Sequence, residues 1–302
     1  MSASDDARAP TAMVHVHAPA GRVAPLVLDS PHSGEWYPPD FDHAPPRDVV
    51  RQAEDTHVAA LWRGALAHGA TLVEAVFPRA YIDPNRSLAD IDPALFADGE
   101  RWPHPLAPSR KTEQGVGLVW GLARRGVPMY ARKLRVAEVA RRIERCWAPY
   151  HAALADTLDA RHAAFGEVFH IDCHSMASVG DVMSDDPGRA RADIVLGDRD
   201  GTTCDAAFTA IVHDHLASRG YSVVRNDPFK GVEIVRRHGI PSAGRHSLQV
   251  EVNRKLYMNE ATLAPNAGYA RLAADLAALA ARVVEWIDAR HGGAGPAATR
   301  AP

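Results

Sequence analysis

Short apolar segments alternate with longer amphipathic ones along most of the 302-residue chain. The short segments are rich in Val and Ile and apolar at nearly every position, which is typical of strands buried on both faces of a sheet. They predict strands at residues 23–29, 71–77, 167–175, 192–197, 221–226 and 247–253. The longer segments predict helices at about residues 49–68, 134–163, 205–219 and 263–290.

This alternation predicts a single three-layer α/β/α domain with a mixed, mostly parallel central sheet. We place the domain at residues 21–290, between two ends (1–20 and 291–302) that are rich in Ala, Pro and Gly and that we expect to be flexible. Residues 87–130 are rich in Pro and Gly and weakly periodic, which predicts a loop insertion over an active site. In such folds ligands bind at the carboxyl ends of the strands, so we expect the functional site there.

Composition narrows the class of protein. The chain has 34 basic and 37 acidic residues and a net charge of −3, which favours neither nucleic acid nor an acidic membrane surface as a partner. Its three cysteines, Cys146, Cys173 and Cys204, are too widely spaced for a disulfide framework and indicate a reducing compartment. Because the sequence also lacks a signal segment and a run of about 18 apolar residues, we expect a soluble, cytoplasmic protein. The sequence makes no prediction of an oligomeric state.

Polar and ionisable side chains cluster at the ends of four predicted strands. They are His32 and Glu35, then Arg79, Asp83, Asn85 and Arg86, then Asp172 and His174, and finally Glu251, Asn253 and Arg254. Imidazole and carboxylate are ligands of Zn²⁺, and a catalytic zinc site keeps one position open for water. A further carboxylate can move the proton, while guanidinium groups can stabilise an oxyanion or bind a substrate carboxylate. The set therefore indicates a catalytic zinc site with an anion clamp.

Five sequence blocks carry a family resemblance. They are "LDSPHSGEWYPPDF", "RAYIDPNRS", "HIDCHSM", "NDPFKG" and "LQVEVNRKLYMNE", and in this order they resemble the N-formylglutamate amidohydrolase family from about residue 25 to 260. That family is distantly similar to zinc carboxypeptidases and to the aspartoacylase and succinylglutamate desuccinylase group. The resemblance implies a zinc-carboxypeptidase-like fold and one bound Zn²⁺. It further implies hydrolysis of a small acidic N-acyl amino acid, first of all N-formyl-L-glutamate to formate and glutamate in histidine breakdown.

The resemblance also implies a set of metal ligands. His32 and His174 would bind zinc, and Glu35 would be the third ligand by the carboxypeptidase His-x-x-Glu pattern. Asp55, in the segment "QAEDTHVAAL", is the alternative third ligand. His170 lies four residues before His174 and so faces the same side of the predicted strand. It is therefore an alternative to His174 as a metal ligand.

Catalytic and binding roles follow from the same resemblance. Glu251 would act as general base and acid, and Arg79 would polarise the scissile carbonyl. Asn85 and Arg86 would bind the carboxylate of the substrate. Asp172 would fix an imidazole or lie beneath the metal.

Two alternative functions are compatible with the same site residues. The substrate could be another acidic amino acid with an N-acetyl or N-succinyl group, or the chain could be a non-catalytic metal-binding homologue. Zinc content would separate the second alternative from the enzymes. The sequence assigns no roles to Arg132, Asn253 and Arg254. It favours the interpretation that the cysteines are packed side chains without a catalytic role.

Overall fold

The central element of the fold is a mixed sheet that runs through the residues described by the computed structural model, 10–19 and 21–292. Its strands are β1 (Val14–His17), β2 (Leu26–Ser30), β3 (Thr71–Ala75), β6 (Val168–Met176), β7 (Ile194–Gly197), β8 (Val223–Arg225) and β9 (Arg245–Asn253). A separate hairpin is formed by β4 (Leu122–Arg124) and β5 (Val127–Pro128). The order in the large sheet is β1-β3-β2-β6-β9-β7-β8.

Most neighbouring strands in this sheet run parallel. The pairs β2–β3, β2–β6, β6–β9 and β7–β8 are parallel, whereas β1–β3 and β7–β9 are antiparallel. The predicted mixed, mostly parallel sheet is therefore confirmed. β3, β2, β6 and β9 share one direction, so their carboxyl ends meet at a single edge of the sheet. The polar residues that the sequence places at the ends of these strands therefore lie at that edge.

Helices cover both faces of the sheet. They are α1 (Arg47–Arg51), α2 (Val58–Trp62), α3 (Arg110–Glu113), α4 (Val136–Arg142), α5 (Ala148–Phe165), α6 (Ala206–Ser218), α7 (Glu233–His238) and α8 (Tyr269–Arg290). Short 3₁₀ turns lie at Arg63–His68, Pro93–Leu95, Pro241–Ala243 and Arg254–Leu256, and a π turn (Ile143–Trp147) joins α4 to α5. The helix predicted at 134–163 is this continuous α4–α5 segment.

Alternation along β6 separates an apolar face of the sheet from a polar one. Alternate residues from Phe169 to Cys173 pack into an apolar core with α2, α6 and α8. Alternate residues from His170 to His174 point to the opposite face, which α4, α5 and α7 cover. A buried polar layer thus lies under one set of helices, and it ends at the carboxyl edge of the sheet.

The helix predicted at 49–68 is interrupted. The chain leaves the helical conformation after α1, and His57 adopts a left-handed φ of 71° before α2 begins. In the gap, the backbone N–H of Asp55 donates to the carbonyl oxygen of His32 at 3.0 Å instead of to a carbonyl of its own helix. The interruption turns the Asp55 side chain into the polar layer.

The prediction of a flexible N-terminal segment is wrong at Val14–His17, because these residues form β1. This strand of only four residues is held by antiparallel pairing with β3, and a long-range pairing of this kind leaves no signal in local composition. Of the predicted flexible ends, residues 1–9, 20 and 293–302 lie outside the described residues.

The predicted loop insertion at 87–130 contains a 3₁₀ turn, α3 and the β4–β5 hairpin. It is anchored to the domain by the backbone N–H of Asp83, which donates to the carbonyl oxygen of Leu118 at 2.8 Å. Leu118 and Val119 are buried in the core beneath α5. The insertion is therefore a packed part of the fold.

Candidate metal centre and active site

Three side chains from distant parts of the chain converge at the carboxyl edge of the sheet. His32 follows β2, Asp55 lies in the gap between α1 and α2, and His174 lies near the end of β6. Oδ2 of Asp55 is 3.3 Å from Nδ1 of His32 and 3.1 Å from Nδ1 of His174. The three residues are buried, and each offers one ligand atom within 4.8 Å of the others.

A buried carboxylate lies close to the far side of each ring. Nε2 of His32 lies 2.7 Å from Oδ1 of Asp83, and Nε2 of His174 lies 2.7 Å from Oδ1 of Asp172. A neutral imidazole that donates its Nε2–H to a carboxylate keeps a lone pair on Nδ1. In His32, the hydrogen bond to Asp83 leaves this lone pair directed at Oδ2 of Asp55, and Nδ1 of His174 faces the same oxygen. Two imidazole nitrogens and a carboxylate oxygen that face one another at this distance fit a metal ion.

The charges in the cluster agree with this arrangement. Burial acts to raise the pKa of Asp55, but the close imidazoles of His174 and His32 hold that pKa well below its usual value. Burial acts to lower the pKa of His174, and Asp172 and Asp55 outweigh it and hold the pKa well above its usual value. The site therefore carries an excess of negative charge that stabilises either a proton or a metal ion.

Glu35 lies outside this cluster. Its carboxylate is half-exposed and binds Nη2 of Arg51 at 3.0 Å. Residues three apart share a face on a helix, but residues 31–36 form no helix. Gly34 packs so closely on the backbone that a Cβ there would lie 2.3 Å from the carbonyl oxygen of Phe77. The geometry therefore argues against Glu35 as the third ligand and favours the alternative, Asp55.

Two further residues hold Oδ1 of Asp55. Oγ of Ser175 donates to it at 3.2 Å, and Nη2 of Arg254 donates to it at 3.1 Å. These contacts leave Oδ2 for the imidazoles. Neither role is predicted from the sequence, although Ser175 directly follows His174 and Arg254 directly follows β9.

Arg79 lies beside the converging ligands. It donates to Oδ2 of Asp83 from Nε at 3.2 Å and from Nη2 at 3.0 Å. Its guanidinium lies over the ring of Trp120, 5.3 Å from the centroid. Nη1 is 3.9 Å from Oδ1 of Asp55, so this nitrogen faces the cluster of converging ligands.

A cavity of about 630 Å³ opens over the cluster of His32, Asp55 and His174. The predicted site residues that line it are His32, Arg79, Asn85, Arg86, His174 and Glu251. The insertion contributes Lys111, Gln114, Trp120 and Arg124 to its wall. The structure thus brings all the predicted site residues except Glu35 to one cavity.

Glu251 reaches this cavity from β9. It is the register partner of His174 on the adjacent parallel strand, so both side chains project from the same face of the sheet. Oε1 accepts a hydrogen bond of 3.0 Å from Nε2 of Gln249. Burial raises the pKa of Glu251 to about 7. A carboxyl group with this pKa can both take and release a proton near neutral pH.

Arg86 presents a buried positive charge to the same cavity. Its side chain donates to the carbonyl oxygens of Val116 and Asn85, and no carboxylate among residues 10–19 and 21–292 forms an ion pair with it. Burial lowers the pKa of Arg86 from its usual value. An anionic ligand would compensate this charge. Asn85 is anchored beside it, with Oδ1 accepting from the backbone N–H of Ile234 and Nδ2 lying 3.1 Å from Nε2 of His174.

The remaining candidates lie outside the metal cluster. His170 is bound to Asp29 at 2.9 Å and to Ser247 at 2.8 Å. Arg132 is exposed and pairs with surface carboxylates, while the amide of Asn253 donates to backbone carbonyls. Burial holds the pKa of the Cys173 thiol well above its usual value.

The sequence of the chain matches a known family over most of its length. The model of the N-formylglutamate amidohydrolase family matches residues 24–258, a span that contains all the residues of the cavity and the metal cluster named above. The chain belongs to this family.

Individual members of the family agree with this assignment. The chain is 32% identical over 245 residues to the N-formylglutamate deformylase of Pseudomonas aeruginosa, covering 80% of this chain and 84% of that protein. It is 30% identical over 244 residues to the enzyme of the same name from Pseudomonas putida, covering 78% of this chain and 82% of that protein. The crystal structure of the N-formylglutamate amidohydrolase from Ralstonia eutropha is 47% identical and superposes with a TM-score of 0.88, covering 93% of this chain and 99% of that one.

Among residues 10–19 and 21–292, every helix is too short or too polar to cross a membrane.

Proposed function

We propose that the protein is a zinc-dependent amidohydrolase that converts N-formyl-L-glutamate and water into formate and L-glutamate. The observation that carries this proposal is the convergence of His32, Asp55 and His174 on one point beside Glu251 and Arg86. Membership of the N-formylglutamate amidohydrolase family supports the choice of substrate. We further propose that the enzyme acts in the cytoplasm, in the breakdown of histidine.

The proposed ligands are Nδ1 of His32, Oδ2 of Asp55 and Nδ1 of His174. Two imidazoles and one carboxylate with an open fourth position are the donor set of catalytic zinc sites. When bound here, zinc supplies a Lewis acid that polarises the formyl carbonyl and increases the acidity of a water molecule. Oδ1 of Asp83 accepts the Nε2–H of His32 and so keeps this ring oriented toward the metal. Oδ1 of Asp172 lies 2.7 Å from Nε2 of His174 and places a negative charge beside that ring.

Glu251 is the proposed proton carrier. Its carboxylate accepts a proton from the attacking water, whose oxygen forms a bond to the formyl carbon. Nη1 of Arg79 donates to the oxyanion that develops on the formyl oxygen. Glu251 then gives the proton to the amide nitrogen, the C–N bond breaks, and formate and the free amine leave. The raised pKa of Glu251, about 7, suits both halves of this transfer.

Arg86 is the proposed anchor for a substrate carboxylate. Its guanidinium is buried, faces the cavity and has no carboxylate partner among the described residues. A bidentate bond from a substrate carboxylate would neutralise this charge and orient the formyl group toward the metal. Nδ2 of Asn85, on the adjacent residue, is the second proposed contact.

A substrate panel tests the proposal. Protein stripped with a chelator is reconstituted with Zn²⁺ and assayed on the N-formyl, N-acetyl and N-succinyl derivatives of glutamate and aspartate. We expect the highest kcat/KM for N-formyl-L-glutamate and a loss of turnover in the stripped protein. A higher kcat/KM for an acetyl or succinyl derivative would support the proposed catalytic site but assign it a different substrate. Turnover of none of the compounds by zinc-loaded protein would favour a non-catalytic homologue and contradict the proposal.

A further inference from the structure

A second group of metal-ligating side chains lies at the opposite edge of the sheet from β8, on the outermost strand. His15 and His17 of β1 and Glu74 of β3 each offer a ligand atom within 4.8 Å of the other two. The rings of the two histidines are 5.9 Å apart between centroids, in an edge-to-face arrangement. None of the three residues lines the cavity over the central cluster.

The strand geometry explains why these side chains meet. Residues two apart on a strand point to the same face, so His15 and His17 are neighbours on one side of β1. The register of the β1–β3 pair places His15 directly opposite Glu74. The backbone of both strands is fixed by the sheet, so the three side chains are preorganised for a ligand rather than gathered by a flexible loop.

The group is accessible and not saturated by protein contacts. His15 is exposed, and it has no hydrogen-bond partner among residues 10–19 and 21–292. Nε2 of His17 lies 2.8 Å from Oε2 of Glu74. The same oxygen accepts from Nη2 of Arg63 at 3.1 Å. Arg63 is half-exposed, so its side chain can turn into solvent when a cation approaches.

We propose that His15, His17 and Glu74 form a second metal site, which binds a divalent transition-metal ion such as Zn²⁺ or Cu²⁺. Two imidazoles and one carboxylate suit these ions and not Mg²⁺ or Ca²⁺, which take oxygen ligands. The three protein ligands leave positions for water, so the site is open to exchange. Because the residues lie on two strands, the bound ion links β1 to β3 and stabilises the short edge strand.

The test counts zinc ions with the full chain. Chelator-stripped protein is titrated with Zn²⁺ against a chromophoric competitor, and wild type is compared with the double variant His15→Gln/His17→Gln. We expect the double variant to bind one equivalent fewer than wild type. The matched control is His213→Gln/His215→Gln, which has the same His-x-His spacing on helix α6, where residues two apart point in different directions. This control should keep the wild-type count.

Equal zinc counts in wild type and in His15→Gln/His17→Gln would overturn the proposal. A difference of one equivalent supports it whether or not the central cluster binds zinc, so its failure is distinct from a failure of the proposed function. Glu74→Gln gives a second readout that keeps both imidazoles. At a zinc concentration of about 100 times the dissociation constant, this site should raise the melting temperature of wild type by about 5 °C more than that of Glu74→Gln. Equal zinc-induced shifts in the two proteins would contradict the link between β1 and β3.

Discussion

Oδ2 of Asp55 lies 3.1 Å from Nδ1 of His174, although the two residues are 119 positions apart in the chain. Asp55 reaches this position because the chain leaves the helical conformation between α1 and α2. His174 reaches it because alternate residues of β6 face the polar layer of the sheet. The cluster therefore depends on two separate features of the backbone, the break between α1 and α2 and the carboxyl end of β6.

The first prediction separates the two candidates for the third metal ligand. Asp55→Asn should weaken zinc binding by at least about 100-fold, because the one oxygen that faces both imidazoles loses its charge. Glu35→Gln should bind zinc as wild type does, because the Glu35 carboxylate is half-exposed and pairs with Arg51. The measurement is zinc affinity by competition with a chelator. Weak binding in Glu35→Gln together with normal binding in Asp55→Asn would reverse the assignment.

The second prediction concerns the proton carrier. Glu251→Gln keeps the size of the side chain but cannot carry a proton, so kcat should fall by about 10²- to 10⁴-fold with zinc content unchanged. The matched control is Asp275→Asn, a carboxylate on α8 that is equally buried, 7% exposed in both residues, and lies outside the cavity. Its kcat should stay close to that of wild type. A Glu251→Gln enzyme with wild-type kcat would rule out the proposed role.

The third prediction concerns recognition of the substrate carboxylate. Arg86→Ala should raise KM for N-formyl-L-glutamate roughly 10- to 100-fold, through loss of a charge-assisted contact. Arg132→Ala, which removes an exposed arginine outside the cavity, should leave KM unchanged.

The same variants can identify the carboxylate. If Arg86 binds one carboxylate of the substrate, the Arg86→Ala effect should disappear for the formyl derivative in which that group is an amide. The α-amide and the γ-amide of N-formylglutamate are therefore assayed side by side. An Arg86→Ala effect of the same size on both amides and on the parent compound would show that the anchor lies elsewhere.

The fourth prediction concerns stability at acid pH. Burial lowers the pKa of His151 to about 4 and that of His238 to about 3, while an unfolded histidine titrates near 6.5. Both rings are neutral in the folded protein above these values. As the pH falls below about 6.5 the unfolded chain takes up protons that the folded chain does not, and each histidine then lowers the free energy of unfolding by about 1.4 kcal/mol per pH unit.

Replacing one of these rings should therefore flatten the pH dependence. Between pH 7 and 4.5, His238→Leu should lose about 2–3 kcal/mol less free energy of unfolding than wild type. The comparison uses urea unfolding of chelator-stripped proteins, so that metal binding does not contribute. The exposed His104→Leu serves as the control, and its curve should follow wild type. Parallel curves for His238→Leu and wild type would contradict the prediction.

Much of the fold follows from local patterns in the sequence. The apolar runs predict every strand of the large sheet except β1, and the alternation with helices predicts the mixed, mostly parallel arrangement. β1 was missed because a four-residue edge strand gains its stability from pairing with β3 and not from its own composition. The break between α1 and α2 was missed because a short tertiary contact, from the Asp55 N–H to the His32 carbonyl, replaces helical hydrogen bonds there.

The sequence by itself determined which chemical groups stand at the strand ends, because residue type and strand alternation are local properties. His32, His174, Glu251 and Arg86 are all found from such local signals, and the family resemblance they carry is confirmed. Only the tertiary structure decided that Asp55 rather than Glu35 faces the imidazoles, and that Arg254 and Ser175 orient it. The physical reason is that side chains on irregular backbone point where packing of distant segments sends them, and spacing along the chain carries no information about that direction.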